Sequence, residues 1–229
     1  MPDKSGARAP DTSQARMHFD ARVEPFWYWQ VREKKTLGFF EGRRRRKRQE
    51  GIARAIHAAL AGMGADPGDW DARSGETVCN LRLDRGAVLQ DLRVFAASLD
   101  RQSATEIYQG NAQSRFLHLI KNRDRESYYL PVPFPEPIMV LVSDTKQFIP
   151  VGSSVRLLKE LQEINRDLRV EATFKIKKMV DFFQASEDDI LQYEARLGND
   201  PNFWVKFGFV LMEKLARKSV ESRLPVIFA

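Results

Sequence analysis

Six consecutive basic residues, Arg43-Arg44-Arg45-Arg46-Lys47-Arg48, place the firmest limit on how this chain can fold. Successive residues of an α-helix turn by about 100°, so a helical run would carry charge around its whole circumference. Such a segment packs against a core on no side and is expected to be exposed, extended or embedded in something anionic. Its like charges repel one another. Glu41 with Arg45 and Arg46 with Glu50 relieve this as i,i+4 pairs worth about 0.2–0.5 kcal/mol each. The run also matches the whole formal charge: 37 Lys and Arg face 31 Asp and Glu, a net of +6, and the remainder is neutral.

One concentrated cationic device points to a polyanion. Arginine forks fit phosphate geometry and stay charged at any working pH, and an acidic protein surface offers the same complement. The expected partner is therefore an acidic protein or nucleic-acid phosphates, through Arg43, Arg44, Arg45, Arg46, Lys47 and Arg48. A homo-oligomer stays open, and a peripheral membrane contact is not expected. Upstream, Phe26-Trp27-Tyr28-Trp29 follows Pro25. These four aromatics are a candidate apolar anchor for a partner, since aromatic stacking on bases is worth about 1–3 kcal/mol each. The plainer reading is that they plug a groove of their own domain, and Phe39-Phe40 reads as core.

The remaining composition describes a globular protein. Hydrophobic residues make up 43% of the 229, enough for a sizeable core. The longest apolar stretches, Pro137 to Val142 and Phe207 to Met212, fall short of the roughly 18–20 residues of a membrane span. The start of the chain has no apolar segment of the secretory type. The lone Cys79 leaves no intrachain disulfide and fits a reducing compartment, so a cytoplasmic protein is expected.

Residues 1–20 are polar and read as a disordered arm, followed by a single α+β domain over 21–229, with a possible internal boundary near 131–137. Ile52, Ile56, Leu60 and Met63 recur with helical spacing, and Gly62, Gly64 and Pro67 stop that helix. A short strand over 77–83 and a helix over 87–99 follow. Phe116 to Ile120, Tyr128 to Val132 and Ile138 to Val142 read as strands. Pro131, Pro133, Pro135 and Pro137 make this part an edge or a connection, because proline donates no ladder hydrogen bond. Leu157, Leu158, Leu161, Ile164 and Leu168 form a helical stripe entered through a Gly152-Ser153-Ser154 cap. Further helices are expected from Phe174 to Phe183, after Ser186, and from Pro201 through Phe203, Phe207, Leu211 and Leu215. The fold class is thus α+β: a small central, mostly antiparallel sheet flanked by helices, with a helical C-terminal third.

Catalytic motifs are sparse. Gly152-Ser153-Ser154 lacks the Gly-x-Ser-x-Gly of a nucleophile elbow, and no phosphate loop exists. His18, His57 and His118 are too far apart in sequence for a metal-ligand pair. His118 alternates with Phe116 and Ile120, as a partly buried strand residue would. Asp144-Thr145-Lys146 after Ile138 to Val142 is the one enzyme-like pattern, a metal-dependent nuclease core needing a second carboxylate from Asp124 or Glu126 on a neighbouring strand. The expectation is a non-enzymatic binding or regulatory protein with no cofactor and no metal, the nuclease being the alternative.

Overall fold

The computed structural model describes residues 19–26, 39–71, 77–83, 88–142, 145–170 and 200–228, together with positions 192 and 195. The order is β1 (Phe19–Val23), α1 (Phe39–Gly62), β2 (Cys79–Leu83), α2 (Val88–Leu99), α3 (Ala104–Gln109) and α4 (Leu117–Ile120). There follow β3 (Ser127–Leu130), β4 (Ile138–Val142), β5 (Gln147–Ser153), α5 (Ser154–Leu168), α6 (Phe203–Ser222) and β6 (Val226–Phe228).

The strands form one six-stranded sheet in the order β2-β1-β6-β3-β5-β4. All neighbours are antiparallel except β3 and β5. The class is α+β with a mostly antiparallel sheet, as the sequence predicts. Helices pack on both faces of the sheet. Ile52, Ile56 and Leu60 of α1 pack with Trp70 on Leu130, Val140 and Val151. On the opposite face Leu92 of α2, Leu161 of α5 and Leu211 of α6 meet Val23, Tyr129 and Val226. Alternation along β3 makes this possible: Tyr128 and Leu130 serve one core, and Tyr129 the other.

Several elements depart from expectation. Phe116 to Ile120 is not a strand. Residues 117–120 form a single helical turn, because the Glu160 carboxylate of α5 accepts hydrogen bonds from His118 N and Leu119 N, both at 2.9 Å. The basic run is helical, continuous with the expected helix, and α1 begins at Phe39. Strand β1 starts at Phe19, and its Ala21 and Val23 enter the core. Residues 1–18, Trp27 to Trp29 and the helix expected over 174–183 lie outside the described residues, and of the helix expected after Ser186 only positions 192 and 195 are described, both helical.

The stops and connections behave as their chemistry requires. At the end of α1, Ala65 N donates to Leu60 O and Gly64 N to Ala61 O, a left-handed exit with Gly64 at φ +67°. The four prolines lie in the β3–β4 connection, and β4 is an edge strand. Pro150 sits within β5 opposite Met139, beyond the stretch that pairs with β3. Ser153 caps α5, its Oγ accepting from Arg156 N at 3.1 Å.

Candidate interaction surfaces

Helical structure sorts the basic run by direction. At about 100° per residue, Arg43, Arg44, Arg46 and Lys47 span an arc of about 160°. Ile52, Ile56 and Leu60, all buried, point the opposite way. Arg43, Arg44, Arg46 and Lys47 are exposed, while Arg48 is half-buried beside Glu126 at 3.6 Å. The side chain of Arg45 lies outside the described residues. Arg46 Nε donates to Glu50 at 2.9 Å, the pairing expected from i,i+4 spacing.

The exposed arc continues beyond the run. Arg54, eleven residues from Arg43 and therefore only about 20° away around the helix, is also exposed. Sequence reasoning ended the basic patch at residue 48. The spacing of Arg43, Lys47 and Arg54 is the signal that would have extended it. Arg54 also borders a shallow cleft of about 360 Å³ with Glu50, Ala53, His57 and Asp71. There His57 stacks on Trp70, ring centres 5.5 Å apart, and approaches Asp71 at 3.0 Å.

Of the proposed aromatic anchor, only Phe26 is described. It is fully buried, packed edge-on against Trp70 at 4.9 Å and against Tyr128 at 5.6 Å. Phe26 is therefore a core residue that offers no face to a partner. The other three, Trp27, Tyr28 and Trp29, lie outside the described residues.

Only part of the nuclease pattern falls among the described residues. Asp144 lies outside the described residues, and Lys146 takes a left-handed conformation in the β4–β5 turn. Asp124 and Glu126 precede β3, which β5 separates from β4. Two strand spacings, about 10 Å, stand where the chemistry needs neighbouring strands. Asp124 is engaged by Arg93 at 2.6 Å, and Glu126 lies beside Arg48.

The most perturbed groups are interior. Burial pushes the Glu160 carboxyl up to about 8, and lowers His118 to about 4. His118 Nδ1 accepts from Ser153 N at 2.9 Å, and its Nε2 lies 3.2 Å from Pro135 O. Tyr129 OH donates to His118 O at 2.9 Å. These bonds tie α4, β3, β5 and α5 together, and each site is almost fully enclosed, so the cluster holds the fold. Cys79 is buried too, and burial raises its thiol. Three large apolar side chains do reach the surface together: Met139 and Leu141 on edge strand β4, and Phe148 directly across from Leu141.

A protein-family profile described as "Putative DNA-mimic protein" matches residues 53–228. The chain belongs to this family. Comparison with curated proteins and with solved structures finds no match. The DNA-mimic profile begins inside α1, five residues past the basic run, and ends with β6. Within those limits 24 Lys and Arg face 24 Asp and Glu, whereas residues 1–52 hold 13 against 7. The part of the chain that defines DNA-mimic membership is thus formally neutral, and all of the +6 lies before it. Imitating DNA calls for surplus negative charge. The matched residues as a whole carry no such surplus. Among the described residues no helix is long and apolar enough to cross a membrane.

Proposed function

We propose that this is a cytoplasmic, non-enzymatic protein that binds a DNA-binding protein. The observation carrying this reading is the family match across 53–228, which takes in every described element from the second half of α1 to β6. Two features support it. The strongly perturbed groups lie buried in structural hydrogen bonds, and Asp124 and Glu126, in the turn before β3, lie beside Arg93 and Arg48. A sheet with helices packed on both faces is also a suitable platform for presenting loops to a partner.

The basic segment of α1 has a separate part in this reading. Arg43 to Arg48 supply an electrostatic contact to an anionic surface, either an acidic face of the partner or nucleic-acid phosphates.

The test is capture from a lysate on immobilised protein, followed by elution with a short duplex. A variant with residues 43–48 changed to Gln is run beside it, which removes direct contact between the run and the duplex. A DNA-binding protein captured by both forms and released by the duplex supports the reading. Captured protein that stays bound in excess duplex, or no capture by either form, overturns it.

A further inference from the structure

We infer that the exposed face of α1 is a nucleic-acid contact, formed by Arg43, Arg44, Arg46, Lys47 and Arg54, which lies along the phosphates of a duplex. The inference narrows the reading of the basic segment as a polyanion contact. Its choice of anion rests on the reading that the matched domain engages a DNA-binding protein, whereas the duplex titration below reads the stripe alone.

Geometry is the first support. From Arg43 to Arg54 the helix rises about 17 Å, at 1.5 Å per residue. Five exposed cations share this face, and the buried Ile52, Ile56 and Leu60 lie on the other side. The stripe is therefore presented outward by a helix whose far side is anchored in the core. An equal length of duplex carries about ten phosphates, counting both strands. Glu50 interrupts the stripe but is held by Arg46 at 2.9 Å, so its charge is offset locally. Gly51 adds to the openness: a Cβ placed there would meet nothing within 4 Å.

Sign decides between the candidate anions. A protein that binds DNA presents a positive surface where the DNA lies, and a cationic helix is repelled from such a surface. If residues 53–228 engage a partner of that kind, the +6 placed before them suits the DNA itself. Arginine also predominates in the stripe, four of its five cations, and its planar fork favours phosphate oxygens over a diffuse acidic face.

Phosphate contacts position a protein without reading bases, so binding should be nearly independent of sequence. The experiment is fluorescence anisotropy of a labelled 20-base-pair duplex against the full chain from 50 to 200 mM salt. Four phosphates neutralised give a log–log slope of about −3.6, a loss of roughly 100-fold in affinity across that range. Arg43→Gln with Lys47→Gln should weaken binding and reduce the slope by about 2. Arg54→Gln alone should reduce it by about 1, which tests the extension past the run. All three positions are exposed, and circular dichroism of each variant confirms that α1 persists. Absence of binding at 50 mM salt would overturn the inference, as would an unchanged slope in the folded variants. Equal competition by a polyglutamate peptide of matched charge would assign the stripe to acidic protein instead.

Discussion

Two glycines show how differently the same residue is used. Gly152 lies in β5 against the Tyr129 ring, and a Cβ there would come within 2.6 Å of two ring carbons. Tyr129 cannot swing aside, because its hydroxyl is bonded to His118 O and the ring is buried. Gly152→Ala is expected to cost about 1–3 kcal/mol. Gly51→Ala, in the open, helical part of α1, is expected to stabilise by about 0.5–1 kcal/mol. Urea denaturation midpoints check both. At the same scale, Glu160 and His118 set opposed pH dependences. Folded Glu160 keeps its proton up to about pH 8, while its ordinary value is 4.5. The unfolded chain releases that proton first, so stability falls as pH rises from about 4.5 to 8. His118, lowered from 6.5 to about 4, is protonated first in the unfolded chain. Its contribution is lost as pH falls through that window. The slopes oppose one another between pH 4.5 and 6.5, leaving a net decline from about 6.5 to 8. Glu160→Gln should flatten that decline in a stability series across pH, and an equally steep decline in the variant would place its origin in another group.

Helix α1 joins two chemistries in one element. Its second half is amphipathic in the ordinary way, with Ile56 fully buried, and its first half is nearly all charge. Ile56→Ala is expected to lose about 2–5 kcal/mol, whereas Arg44→Ala should stay within about 0.5 kcal/mol; thermal melts of the two variants separate the halves. The sequence made the second half plain through Ile52, Ile56 and Leu60, and α5 through its leucine stripe and Gly152-Ser153-Ser154 cap. Long periodic stretches with a local stop signal need no distant help. The turn at α4 was not legible for the opposite reason. Four residues, three of them apolar, are too few to show a helical period, and the carboxylate that makes them helical comes from Glu160, about 40 residues later. Strand β5 was hidden by Pro150 and Gly152, residues that ordinarily argue against a strand, and β6 is only three residues long. For the interaction surface, the run itself was evident, but its facing was not. Knowing which arginines point outward required knowing that the segment is helical and which side Ile52 anchors.

Across the whole molecule, the two cores depend on a single sheet whose centre is assembled from distant parts of the chain. Val226 is fully buried in β6, paired with Val23 on one side and Tyr129 on the other. Val226→Asp would place a carboxylate between both neighbours with no charge partner in either pairing. It is expected to abolish cooperative unfolding, read by near-UV circular dichroism and denaturant titration. A retained sharp transition would show that the sheet tolerates loss of its middle strand.

The position of β6 also bears on how the protein is made. Without residues 226–228 the sheet exists only as two separate pieces, β2 with β1 and β3 with β5 and β4. A ribosome adding about 5–20 residues per second takes roughly 10–40 s to travel from β1 to β6. Until β6 arrives, the edges of β1 and β3 that it joins lack their partner. The nascent chain must therefore carry its central seam unclosed until β6 emerges.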